Sequence, residues 1–271
     1  MIRATWPLLV VTAASVIVAA GCSRSADSGD RAAGGAVVSA EEAIGPAAPP
    51  GAPASAFPSP LRPVADIVAP RWSDEDDRDD DGEFARVVRL AKISGGQHVA
   101  DIGAGDGYYV TRLAPLVGAT GQVFGQDIMP DYLALLQRRV QREGLRNVQV
   151  VRGDPHDPRL PPASVDVAIM IHMYHEIEQP FALLWNLATA LRPGGRLVIL
   201  DLERPTFGHG TPPDLLRCEL AAVGYTPLSF TNTAPSEYVA IFAAPDSAER
   251  PAPSAISTAL GASPCRAPGS S

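Results

Sequence analysis

Short apolar runs recur through the middle of this chain, each closed by an acid, a glycine or a proline. Residues 99–102, 122–128, 147–154, 164–171 and 197–201 have the length and apolar content of buried strands. Between them the apolar positions switch to helical spacing. The clearest case is 180–191, where Leu183, Leu184, Leu187, Ala188 and Leu191 share one face. Helices are predicted at 108–117, 130–143, 180–191 and 213–223, and a further one begins near Glu83. Pro130 starts its helix at the position where a missing N–H costs nothing. Arg192-Pro193-Gly194-Gly195 stops the helix before it. Strands near 226–231 and 237–243 end the pattern. Strand and helix alternate, so the fold class is α/β with a largely parallel sheet.

The first strand carries the candidate chemistry. It runs into Asp101-Ile102-Gly103-Ala104-Gly105-Asp106-Gly107, with glycine at every second position. Glycine lets backbone approach a ligand that a Cβ would push away. Such a turn lies at the carboxyl edge of the sheet, where open α/β folds bind ligands. A dinucleotide fingerprint is G-x-G-x-x-G with an acid about 20 residues later. Here the spacing is G-x-G-x-G, Tyr108 follows, and Asp101 precedes the first glycine. The acid would repel a pyrophosphate but suits a positive amino group. The next two strands end in Asp127, followed by Ile128, and in Asp154. A carboxylate at Asp127 has the geometry to accept from ribose hydroxyls.

Together these residues resemble motif I and its companion acids in class I S-adenosylmethionine (SAM)-dependent methyltransferases. The stretch Leu191-Arg192-Pro193-Gly194-Gly195-Arg196 through Asp201 is similar to their fifth-strand region. The resemblance covers about residues 71–245. It implies a three-layer Rossmann-like methyltransferase fold: a mostly parallel seven-stranded sheet with a C-terminal antiparallel hairpin strand. It implies SAM as cofactor, held by Asp101, Gly103, Gly105, Gly107, Asp127, Ile128, Asp154 and His172, with Asp154 accepting from the adenine amino group. A narrower resemblance exists to exported, uncharacterised bacterial methyltransferase-like proteins. It rests on the Asp-rich segment before the first strand and on His172-Met173-Tyr174-His175-Glu176 after the fourth. A Rossmann protein binding NAD(P) is the competing reading of the turn.

Composition narrows the field. With 271 residues and 46% hydrophobic content the chain supports one sizeable core. A net charge of −8 gives no electrostatic case for nucleic acid. Residues 74–81 are acidic everywhere except Arg78. Asp77-x-Asp79-x-Asp81-Gly82 echoes a calcium loop, but Val88 stands where a bidentate Glu is needed, so this segment reads as a solvated turn. No metal site is expected.

The N-terminus adds a second signal. Arg3 precedes an apolar run over 6–20, shorter than the ~20 residues of a membrane span. Ala19-Ala20-Gly21-Cys22 resembles a bacterial lipobox, although Ala19 stands where Leu or Val is usual. The domain plan is therefore a lipoprotein-type signal peptide over 1–22 with Cys22 lipidated, a disordered Ala/Pro/Gly/Ser tether over 23–64, a methyltransferase domain over 65–245 and a disordered tail over 246–271. The expected location is the bacterial envelope, membrane-anchored and facing the periplasm. Conventional cleavage or an uncleaved anchor are the alternatives. Cys218 reads as a buried free thiol, with pairing to Cys265 the alternative in an oxidising compartment.

Methyl transfer needs an aligned nucleophile, and a base only if the acceptor has a proton to lose. Candidate bases follow the fourth and fifth strands: His175, expected to face the pocket, and His209. The acceptor is a small molecule or lipid, and the oligomeric state is left open. A non-catalytic SAM- or nucleoside-binding envelope module is the main alternative to an enzyme.

Overall fold

The computed structural model describes residues 44–67 and 75–266; Cys22 and the leader lie outside them. Five strands, β1 (His98–Ile102), β2 (Gln122–Asp127), β3 (Val148–Arg152), β4 (Val165–Ile171) and β5 (Leu191–Leu202), form the parallel part of the sheet. β6 (Thr226–Ala234) and β7 (Glu237–Ala243) complete it as an antiparallel hairpin, with β7 against β5. The spatial order is β3-β2-β1-β4-β5-β7-β6. The chain moves outward from β1 in one direction, then returns to β4 and moves outward in the other. The reversal leaves a crevice at the carboxyl ends of β1 and β4, the expected ligand position in such sheets.

Helices α1 (Glu75–Asp80), α2 (Glu83–Ala91), α3 (Tyr108–Val117), α4 (Pro130–Glu143), α5 (Pro180–Ala190), α6 (Pro213–Val223) and α7 (Pro253–Ala262) flank the sheet. The period-two alternation of the strands divides their side chains between two cores. Val99, Val167, Ile169, Val198 and Leu200 pack with Val87, Leu113 and Leu136 of α2, α3 and α4. Ala100, Ile102, Ala168, Met170, Leu197 and Ile199 pack with Leu184, Leu187, Leu216 and Leu220 of α5 and α6. This is the three-layer, mostly parallel seven-stranded arrangement with a terminal hairpin that the sequence implied. β5 starts earlier than expected, at Leu191, which leaves α5 in extended conformation; the register with β4 then shifts across residues 192–195, where Gly194 has φ 76°, before pairing resumes at Arg196.

The tether and tail assignments need correction. Residues 44–64 belong to the folded body rather than to a tether. Gly51 and Ala52 donate backbone N–H bonds to Asp157 Oδ2 (2.7 Å) and Asn186 Oδ1 (2.9 Å). Phe57 is buried with its ring 5.9 Å from that of Trp185. Arg62 enters the interior. The tail is also ordered as far as Arg266. Its α7 buries Ile256, Arg250 lies over the Trp185 ring, and Cys265 forms a disulfide with Cys218 of α6. The expected free thiol is thus a cystine. It spans 47 residues, a separation for which native disulfides typically contribute about 2–4 kcal/mol. Residues 61 and 266 meet in an isolated bridge, so both flanks of the domain close on one another. A few large side chains in a small-residue background are enough to seat these segments.

The acidic segment is likewise not a solvated turn. It forms α1, whose Glu75 pairs with Arg112 (3.2 Å) and Arg139, and whose Asp79 pairs with Arg112 and accepts from the Tyr108 hydroxyl (2.8 Å). Arg78 bonds to Glu83 and lies 3.8 Å from the Tyr108 ring centroid. The charges of Glu75 and Asp79 are spent on arginines of α3 and α4.

Candidate functional site

The site grows out of the turn between β1 and α3. The N–H groups of Gly103 and Ala104 both donate to the Gln126 carbonyl at 2.9 Å, fastening the turn to β2. Gly107 precedes α3 with φ 98°, and a Cβ there would come within 2.4 Å of Leu136 Cδ1. Both backbone conformation and space therefore require glycine. At Gly103, φ 75°, a Cβ would approach the Met173 side chain at 3.0 Å and narrow the crevice.

The crevice is an open cleft enclosing about 760 Å³ of empty space, part of it continuous with solvent. Gly103, Gln126, Asp127, Ile128 and Asp154 form one wall; Met173, Glu176, Ile177 and Leu183 form the other. Asp127 is fixed by backbone donors. Its Oδ1 accepts from Ile128 N (2.7 Å) and Met129 N (2.9 Å), and its Oδ2 from Gly105 N (2.9 Å). Burial raises its pKa, opposed by those three N–H groups. A carboxylate has about four acceptor positions, so hydroxyl donors are still accommodated. Asp154 closes the far end, with Oδ2 2.8 Å from Arg159 Nη1.

The remaining predicted residues fall behind or beside this wall. Asp101 is buried on the α2–α3 side of β1, and burial pushes its pKa up to about 7; Arg78 opposes the shift and Asp127 adds to it. Gly105 acts through its N–H on Asp127. His172, at φ 53°, has Nε2 3.5 Å from Glu83 Oε2 and is no part of the cleft lining. Burial favours the protonated Glu83, yet the His172 and Arg78 contacts hold its pKa down to about 2.

His175 requires correction. It does not face the cleft; it lies one layer behind, 2% exposed, with Nδ1 at 3.0 and 3.2 Å from the Asp201 carboxylate. The following residues, Glu176 and Ile177, take the wall position. The His209 ring stands edge-on to His175 with centroids 5.5 Å apart, so the two candidate bases meet each other. Sequence reasoning missed Asp201 as a site residue, although it lies one residue before the end of β5, close to the position Asp127 holds at the end of β2. It also missed Glu83 and Arg62, whose partners are distant in the chain.

Comparison with known proteins agrees with this geometry. A family model described as a methyltransferase domain matches residues 99–195. Ubiquinone/menaquinone biosynthesis C-methyltransferases are similar to the chain. That of Coxiella burnetii is 29% identical over 122 residues, 45% of this chain and 49% of the relative. That of Pseudomonas putida is 29% identical over 121 residues, 44% and 47% of the two chains. The chain thus spans about half the length of the curated relatives it matches. Among solved structures, a SAM-dependent methyltransferase from Aquifex aeolicus superposes with a TM-score of 0.57 at 22% identity, covering 60% of this chain and 90% of the other. A Pyrococcus horikoshii protein gives 0.54 at 14% identity, covering 65% and 94%. These two likenesses establish the fold.

Proposed function

We propose, from the premise that this chain carries a methyltransferase domain of the class I SAM-dependent superfamily, that it methylates a small-molecule or lipid acceptor in the bacterial envelope, anchored there through Cys22. The observation that carries the reading is the Asp127 carboxylate, held by three backbone N–H groups at the mouth of a glycine turn that keeps the cleft open. Bound SAM supplies an electrophilic methyl group on a sulfonium. Asp127 accepts from the ribose hydroxyls and Asp154 from the adenine amino group, while Asp101 offers negative charge to the amino acid end. Ile67, Ile102, Met129, Met173, Ile177 and Leu183 make the cleft largely apolar, which suits a lipid-soluble acceptor. The relatives named for quinone biosynthesis support testing quinols and phenols first.

The test is calorimetry with the purified full chain. Wild-type protein should bind SAM and S-adenosylhomocysteine, and Asp127→Ala should weaken binding by about 1–3 kcal/mol, the scale of lost hydrogen bonds to a charged group. No affinity at millimolar SAM would sink the proposal, and binding of NAD(H) instead would favour the dinucleotide reading.

Envelope location is supported by the leader pattern ending at Cys22 and by the Cys218–Cys265 disulfide, a bond that persists in oxidising compartments. Cys22→Ser should release the protein from membranes or block its processing, because stable anchoring takes two acyl chains. Unchanged fractionation and unchanged cleavage in the mutant would overturn the anchoring model.

A further inference from the structure

The cluster behind the cleft wall has a chemistry that methyl transfer alone does not use. We infer that His175, Glu176 and His209 form a binding site for a divalent transition metal ion of zinc's class. One ligand atom from each of the three lies within 4.8 Å of the others. Zinc bonds to nitrogen and oxygen of ~2.0–2.2 Å place neighbouring ligands roughly 3.3 Å apart around a tetrahedral ion. Closing the cluster thus needs side-chain movements of only about an ångström.

The strongest support is the way His175 is held. Its Nδ1 lies 3.0 Å from Asp201 Oδ1, and a carboxylate only accepts, so Nδ1 carries the proton. The lone pair is then on Nε2, as in the carboxylate–histidine–metal arrangement that fixes tautomer and ring direction. Asp201 also orients the second ligand. Its Oδ2 accepts from Thr211 Oγ1 at 2.7 Å, and Thr211 N donates to the Leu202 carbonyl at 2.8 Å. These bonds pin the base of the loop that carries His209. Within that loop His209 adopts φ 56°, unusual for a residue with a Cβ, and Gly210 leaves no room for one, since its Cβ would sit 2.4 Å from the Leu202 carbonyl. A single buried acid therefore positions both imidazoles.

The donor set selects the ion. Two imidazoles and one carboxylate fit zinc, and two His with one Glu is a known catalytic set that keeps a fourth position open. Calcium and magnesium prefer oxygen ligands. Glu176 also lines the cleft, so the site borders it. The site stands on side-chain geometry alone and does not depend on the methyl-transfer reading.

The experiment titrates Zn²⁺ alone into the full chain, purified without a polyhistidine tag and stripped with chelator, in competition with a chromophoric zinc indicator. One saturable site is expected. Affinity should fall at least about tenfold in His209→Ala and in Glu176→Gln, and about 10–100-fold in Asp201→Asn, which keeps the side-chain shape but loses the charge. Cobalt should give the visible absorption of a four-coordinate ion in wild type and lose it in His209→Ala. The absence of a saturable site would overturn the inference. So would equal affinity in wild type and His209→Ala, which would put the ion elsewhere. SAM calorimetry on the same stripped proteins separates the two readings: SAM binding without metal binding overturns this site and leaves the methyltransferase proposal standing.

Discussion

Arg62→Ala should cost about 3–5 kcal/mol of folding stability, the loss seen when one partner of a buried ion pair is removed. The side chains of Arg62 and Glu219 are 0% and 1% exposed, with Nε 2.9 Å from Oε1. The guanidinium also donates to the carbonyls of Ile177 (3.2 Å), Tyr174 (3.4 Å) and His175 (3.5 Å), while the Tyr174 hydroxyl donates to Glu219 Oε2 at 2.8 Å. Truncation leaves the buried Glu219 carboxylate uncompensated by a positive charge, with only the Tyr174 hydroxyl as donor, and takes a donor from three carbonyls, of which those of His175 and Tyr174 keep backbone N–H bonds from Ala65 and Ile177. Replacing both ends of the pair, Arg62→Met with Glu219→Leu, should recover most of the loss, because a buried pair contributes little beyond an apolar pair of similar size. Urea denaturation of the single and double mutants measures the difference. A loss under 1 kcal/mol for Arg62→Ala would show that the pair is not buried in solution. The same contacts brace the turn 174–177, whose outer residues line the cleft. Arg62→Ala should therefore weaken SAM binding as well, and a fragment starting at Val64 should behave like the mutant.

That pairing shows where the sequence stopped being readable. The βα alternation, the glycine turn and the strand-end acids are local signals, each decided by a handful of consecutive residues; Asp127 and Asp154 line the cleft, while Asp101 is buried behind it. Arg62 and Glu219 are 157 residues apart, and nothing near Arg62 marks it as buried. Its surroundings are rich in Ala, Pro and Gly, a composition shared with true tethers. The tail failed for the same reason, since one Ile and one Cys decide its seating. The acidic run 74–81 read as solvated because a charge run usually is; its partners Arg112 and Arg139 come from helices folded later in the chain. His175 was placed correctly at the carboxyl edge of β4. Its direction was not legible, because it depends on Asp201 across the sheet. In each case a long-range partner decides the use of the local chemistry.

Asp101→Asn should stabilise the protein at high pH while weakening its hold on SAM. Asp101 is 3% exposed, and its pKa rises from 3.8 to about 7, chiefly through burial. The folded state therefore keeps a proton that the unfolded chain has released between those values. Stability falls as pH rises through that window and levels off above it. The cost of the ionised form reaches about 4 kcal/mol, at about 1.4 kcal/mol per pKa unit. Asparagine has the same shape and no charge, so the substitution removes this dependence. The mutant's stability relative to wild type should improve by about 2–3 kcal/mol between pH 5 and pH 8. Urea denaturation at the two pH values reads this double difference, in which the other titrating groups cancel. A relative gain near zero would mean that Asp101 is already ionised at pH 5 in the folded protein, as it is in the unfolded chain. SAM affinity at pH 8 should move the other way, since a positive amino group near Asp101 compensates the buried charge only while the carboxylate is present. A stabilised mutant that binds SAM as well as wild type would leave the carboxylate without its proposed partner. The expected opposition, stability gained and affinity lost, is the behaviour of a charge kept at a binding site despite its cost to folding.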